Sequence, residues 1–178
     1  ARIADVQAKL DEAKTGALVK QINEAQANID ATVNAIKVTT AELERLHKMS
    51  WVDAHFLLSA TEVRLPQQQA LLDKQIAENT SLQIKLSSDP HAQTDPNYAA
   101  VIQAQITENE SKTEKTRQLI EEIQDEIKFL TPLDTEQGFN STIVEKENFL
   151  KTQQSLLTSY QNVYTSLLST EEVRRTTN

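Results

Sequence analysis

Residues 96–130 read PNYAAVIQAQITENESKTEKTRQLIEEIQDEIKFL. Within them Ile102, Ile106, Asn109, Thr113, Thr116, Ile120, Ile123, Ile127 and Leu130 recur at alternating steps of four and three. That spacing lays one row of side chains along the contact seam of a coiled-coil helix. Asp95-Pro96 marks the start: the Asp side chain accepts from the first free N–H groups, and Pro fits the first helical position because it lacks an N–H. The polar stretch Asn109–Thr116 weakens the middle of the seam, and polar seam positions lower stability while fixing register. The stretch predicts one long helix and an all-α fold.

On its N-terminal side lies a loop, residues 87–97, reading SSDPHAQTDPN with two Asp-Pro pairs. Before the loop, Leu72, Ile76, Asn79, Leu82 and Leu86 predict a helix over about 66–86, with Pro66 marking a kink or a fresh first turn. Residues 2–64 predict a longer helix. Its seam runs Ile3, Val6, Leu10, Ala13 and Ala17, then shifts near Gly16 to Leu18, Ile22, Ala25, Ile29, Thr32, Ile36, Thr40, Leu43 and Leu46. Met49, Val52, Phe56, Ala60 and Val63 continue the count. Ser50-Trp51-Val52-Asp53 offers a variant capping box that would start a new helix there, but the unbroken spacing favours a continuous or merely kinked helix. On the C-terminal side, residues 131–140 (TPLDTEQGFN) form a turn. A last helix is expected over about 142–173, opened by a Thr142/Glu145 capping box. Its seam is Phe149/Leu150, Gln153, Leu157, Tyr160, Tyr164 and Leu167.

Composition agrees with long helices. The 178 residues hold two glycines, against roughly a dozen at the usual ~7%, so tight turns with positive φ are few. Hydrophobic residues make up 38% and aromatics 4%, enough for a thin seam rather than a thick core. If residues 2–86 form one rod, the two shorter helices cover only half of it; a fold-back near Ser50 gives four helices of about 40 residues instead. The expected fold is long antiparallel helices in a three- or four-helix coiled-coil bundle, a single elongated domain over residues 1–178.

The net charge is −8 and the pI about 4.9. Nucleic-acid backbones and anionic lipids both call for a basic face, so neither is expected as a partner. Apolar runs such as Phe56-Leu57-Leu58 are too short to cross a bilayer. No signal peptide precedes the first helical residues, and the chain is expected to be excised from a larger protein. Cysteine is absent, which excludes disulfides and thiol chemistry.

The same shortage of glycine argues against catalysis. Phosphate cradles and nucleophile elbows need glycine-dependent turns, and neither G-x-S-x-G nor a Gly-rich loop occurs. His47 and His55 are eight residues apart, not at the i,i+4 spacing of a helical zinc site. Glu121-Glu122 and Asp125-Glu126 read as a solvated face. No enzyme activity, cofactor or metal is expected. Trp51 reads as a core plug at the ambiguous junction, with a partner-binding anchor as the alternative.

Two stretches resemble known families. Residues 129–147, from Phe129-Leu130-Thr131-Pro132-Leu133 through Gly138-Phe139-Asn140-Ser141 into Thr142–Glu147, resemble the hairpin tip of HlyD-type membrane fusion proteins, the periplasmic adaptors of type I secretion and multidrug efflux. In that family the tip docks on an outer-membrane channel. The resemblance matches Leu133 to the tip leucine and Asn140 or Ser141 to the tip serine; Phe129 stands where the family carries a basic residue. Residues 85–100, with both Asp-Pro pairs, look like the loop in the coiled-coil region of large type III secretion translocators, whose helical rods are also Cys-free and Gly-poor.

The expected function is a non-enzymatic coiled-coil scaffold or interaction module of a bacterial secretion or envelope protein. Its partners would be other proteins, bound through helix faces and two tips: Leu133, Phe139 and Asn140 at one, His91 and Tyr98 at the other. Without a fold-back, Ile22, Ile29, Ile36 and Leu43 would serve oligomerisation. The expected location is the periplasm, the cell surface or outside the cell, with the cytoplasm also compatible. The alternatives are a four-helix extracellular sensor domain of a chemoreceptor or kinase, and a phage structural rod.

Overall fold

The computed structural model describes residues 2–177, with side chains from Ile3 onward. Among the described residues there are five α-helices, one 3₁₀ turn and no strand. They are α1 (Arg2–His47), α2 (Trp51–Ser88), α3 (Pro90–Thr94), α4 (Pro96–Leu130), the 3₁₀ turn Thr131–Leu133, and α5 (Glu136–Thr177). The fold is all-α, as its composition requires. The chain divides into two compact units. Unit 1 comprises Ala1–Lys48 and Ser141–Asn178; unit 2, Met49–Asn140, is inserted between its halves.

The first correction concerns the predicted 2–64 helix, which is broken. Ser50 has extended backbone (φ −104°, ψ 168°) and caps α2. Its hydroxyl accepts from the Asp53 N–H at 3.2 Å, while its own N–H donates to Asp53 Oδ2 at 2.8 Å. This reciprocal box satisfies two donors that helix ends otherwise leave free, and it resets the phase of the helix it starts. The residues facing inward are Ala54, Leu58 and Thr61. Val52, Phe56 and Val63, which the linear count placed in the seam, are 39%, 68% and 60% exposed. Trp51, at the first helical position, is 37% exposed rather than a core plug.

Pro66, read as a kink or a fresh first turn, starts no helix and lies inside α2 on its exposed side. The predicted 87–97 loop contains the short α3, because Asp89-Pro90 starts a helix as Asp95-Pro96 does. The last helix begins at Glu136 rather than Thr142. Its first turn is closed from Thr135, whose carbonyl accepts from Phe139 N at 2.8 Å and whose hydroxyl accepts from Gly138 N at 3.1 Å.

In unit 2, α2 and α4 run side by side in opposite directions. Asn109 Nδ2 donates to the Gln75 carbonyl at 2.8 Å in the middle. His55 Nδ1 meets Asp134 Oδ1 at 2.6 Å at one end. Ala92, Ile102 and Ile106 form a small core with Leu82, Leu86 and Tyr98 at the other. The buried or half-buried row of α2 is Ala54, Leu58, Thr61, Leu65, Gln68, Leu72, Gln75, Asn79, Leu82 and Leu86. That of α4 is the row read from the sequence, Ile102 to Leu130. Both step strictly by three and four.

In unit 1, α1 and α5 are likewise antiparallel. Lys146 Nζ pairs with Glu42 Oε2, and Arg174 Nη1 donates to Thr15 Oγ1 at 2.7 Å. The inward row of α1 runs from Thr15 through Leu18, Ile22, Ala25, Ile29, Thr32, Ile36, Thr39 and Leu43 to Leu46, with Thr39 rather than Thr40 fully buried. Ile22, Ile29 and Ile36 are half-buried and Leu43 is 6% exposed, so this row faces inward within unit 1. The predicted earlier seam does not form: Ile3, Val6 and Leu10 are 87%, 66% and 45% exposed.

Candidate functional site

The two predicted tips have opposite characters. The α2–α3–α4 tip is built by two aspartates. Asp89 caps α3 by accepting from His91 N at 2.9 Å, and Asp95 caps α4 by accepting from Asn97 N and Tyr98 N at 2.9 and 3.4 Å. Those backbone N–H groups stabilise the charged carboxylate, so Asp95 titrates below the ordinary Asp range. Gln93 Nε2 reaches back to the Ser87 carbonyl and closes the loop.

Between the caps, His91 and Tyr98 come together edge to face, with ring centroids 4.3 Å apart. His91 Nε2 lies 3.4 Å from Asp95 Oδ2. The Tyr98 hydroxyl donates to Asp89 Oδ2 at 3.3 Å, and Lys85 Nζ sits 5.5 Å over the Tyr98 ring. A hydrogen bond with Tyr98 and the nearby charge of Asp89 hold the Lys85 ammonium above its usual pKa. The His91 side chain is 63% exposed, while Tyr98 is half-buried on the Ala92–Ile102–Ile106 core. The result is an amphoteric knob: an exposed imidazole, a cation and two capping carboxylates around one phenol ring. It can offer hydrogen bonds and charge to a partner.

The other predicted tip is a core element. Leu133 is 0% exposed and Phe139 7% exposed, so neither side chain is presented to a partner, contrary to the sequence expectation. The 3₁₀ turn packs against both α2 and α4, and Leu133 closes the end of their seam beside the fully buried Leu130 and Ala54. Asn140 alone of the three is exposed. Gly138 is needed here for space rather than for backbone freedom. It has no positive φ, and a Cβ on it would overlap the Pro132 carbonyl oxygen. The His55–Asp134 pair, 79 residues apart, pins α2 to the end of this turn; no local spacing in the sequence signals it.

A third feature escaped the sequence reading. In the middle of unit 2 Gln75 Oε1 and Asn79 Oδ1 are buried without a hydrogen-bond partner among the described residues. Clefts of about 340 and 350 Å³ flank this layer, one beside Gln75 and Asn109, the other beside Asn79 and Thr113. Among the described residues no group of three or more His, Cys, Asp or Glu side chains is placed to hold a metal ion. Among them, too, no helix is long and apolar enough to cross a membrane.

Comparison with known proteins yields no match: no family model, no curated protein and no solved structure aligns significantly with the chain.

Proposed function

We propose that the protein is a helical scaffold that acts by holding surfaces for other proteins, its long helices working as coiled-coil pairs. One observation carries this reading. Each long helix turns one main row inward at three-and-four spacing, buried or half-buried, from Thr15 onward in α1, and the tip of unit 2 is capped at its helix starts with His91 exposed. Long, thinly cored helices leave much of their surface free for binding. On the resemblance of residues 85–100, and of residues 129–147 in sequence though Leu133 and Phe139 there are buried, the scaffold would belong to bacterial secretion or envelope machinery, in or beyond the periplasm.

A photo-crosslinking residue at His91 tests this in cells of the source organism. A scaffold gives a discrete protein adduct there and none when the same residue replaces the buried Asn109. Adducts at neither position, with a small molecule raising the melting temperature, would favour the sensor alternative. The sensor reading has one observation of its own: the breaks at 48–50, 89–95 and 131–135 leave four long helices of 46, 38, 35 and 42 residues, close to the four helices of about 40 that such a domain needs. Small-angle scattering separates the two. At ~1.5 Å per residue, a monomer no longer than roughly 70 Å fits the sensor and one beyond about 110 Å the rod.

A further inference from the structure

Unit 2 is held at both ends and thinly built between them. At the base Ala54, Leu130 and Leu133 are fully buried, and His55 Nδ1 meets Asp134 Oδ1 at 2.6 Å. At the tip Ala92, Ile102 and Ile106 pack with Leu82, Leu86 and Tyr98. Three features weaken the stretch between. Pro66 sits inside α2, where it removes the N–H that would bond the Glu62 carbonyl, and its ring crowds that turn. Thr61 on α2, and Thr113 and Thr116 on α4, turn their hydroxyls onto carbonyls of their own helices, a pairing that bends helices. The seam itself is sparse. Leu65 and Leu72 are only half-buried, and Gln75 Oε1 and Asn79 Oδ1 have no hydrogen-bond partner among the described residues. Clefts of about 340 and 350 Å³ flank this layer.

We propose that unit 2 is a jointed arm: α2 flexes at Pro66, the seam yields from there to Asn79, and the tip swings on the base. An interrupted hydrogen-bond ladder and few buried apolar contacts are what lower the cost of local motion. The two helices bend together and do not slide, because the Asn109 amide stays on the Gln75 carbonyl. The swing lets the His91 tip meet a surface at more than one angle. It is independent of which protein that surface belongs to.

Residual dipolar couplings of the backbone N–H groups, measured on the full chain in weak alignment, test it. A stiff hairpin, straight or bent, gives one alignment and one degree of order for residues 54–65 and 120–133 at the base and for residues 80–108 toward the tip. A joint gives the tip a lower order than the base, reduced by roughly a fifth for a swing of about 20°. The wild-type chain is expected to show that reduction. Pro66→Ala restores the missing N–H at an exposed site and is expected to bring the tip to the order of the base. Gln75→Leu with Asn79→Leu makes the layer apolar, keeps the backbone carbonyl that Asn109 reaches, and is expected to recover about half of the difference. Equal order of tip and base in the wild type would overturn the proposal. So would a reduction that Pro66→Ala leaves in place, or non-helical carbonyl shifts over residues 62–66, which would mean an unfolded turn and not a joint. A double-leucine variant that recovers nothing would overturn the part assigned to the seam.

Discussion

The middle and the base of unit 2 use the same three-and-four row and fill it with opposite chemistry. At the base Ala54, Leu130 and Leu133 are fully buried and Leu58 nearly so. In the middle the row mixes Thr61, Gln68, Gln75 and Asn79 with Leu65 and Leu72 on α2, and α4 brings Asn109, Thr113 and Thr116. The threonines behave as small apolar residues there. Thr61, Thr113 and Thr116 each turn their hydroxyl onto a carbonyl of their own helix, at 2.7, 2.8 and 3.0 Å. Across this middle layer the seam is bridged by the Asn109–Gln75 hydrogen bond. The base therefore contributes apolar burial and the middle contributes alignment: apolar pairs tolerate sliding, whereas a side-chain amide that reaches one carbonyl does not.

The largest expected effect lies at the base. Leu133→Ala removes a fully buried side chain and is expected to destabilise unit 2 by about 2–5 kcal/mol in chemical denaturation. Leu133→Asp is expected to unfold it, since the carboxylate would be buried without a partner. A variant of normal stability would return Leu133 to the surface role that the adaptor resemblance implies.

Next comes a contrast between the two glycines. Gly138→Ala forces a methyl onto the Pro132 carbonyl and is expected to cost about 1–3 kcal/mol. Gly16→Ala has open space in the middle of α1 and is expected to stabilise by up to about 1 kcal/mol, through helix propensity alone. Thermal unfolding of both variants checks the pair; equal effects would mean that Gly138 is not sterically required.

The α4 seam was legible because nothing interrupts it: nine positions follow one spacing from Ile102 to Leu130, and all are at least half-buried. The lower part of α1 was legible for the same reason. The region around Ser50 misled because two apolar rows overlap there. Met49, Val52, Phe56, Ala60 and Val63 extend the count from α1, yet the Ser50–Asp53 box restarts the helix with Ala54 and Leu58 inward. A linear count cannot register a phase reset, and the reciprocal cap is the only local signal of it. Leu133 misled for another reason. A short turn that plugs the end of a seam and one that projects from it carry the same residues, and the difference lies in the approach of α2 from more than 70 positions away. The His55–Asp134 pair is hidden in the same manner.

A smaller effect is expected in the middle layer, with the opposite sign. Asn109→Leu removes the amide that bridges the seam. The Gln75 carbonyl belongs to an α2 turn and keeps its own helix. Stability is expected to rise by about 1 kcal/mol, while alignment loosens and higher oligomers or alternative pairings form. Size-exclusion chromatography with light scattering, alongside thermal melts, reads both. A melt that falls while the protein stays uniform would mean that the amide supplies stability and not register.

The smallest effect tests whether the two caps at opposite ends of unit 2 act alike. Asp53 is held below its ordinary range by the Ser50 N–H first and the Ser50 hydroxyl second. Asp95 is held there by the N–H groups of Asn97 and Tyr98. A carboxylate whose folded pKa is depressed contributes stability above its unfolded pKa, near ~3.9, and loses it as the pH falls through the folded value. Both caps are therefore fully effective at neutral pH, and the loss begins only below about pH 4. Asp53→Asn keeps an acceptor for the backbone but removes the charge, and should flatten the acid response of helicity near the base while leaving that near the tip. Asp95→Asn should do the reverse. Hydrogen exchange at the first turns of α2 and α4, monitored from neutral to acid pH, resolves the two ends separately. If each variant changes both ends equally, the caps report one cooperative unfolding of the hairpin, and the division between an apolar base and an aligning middle does not extend to its helix starts.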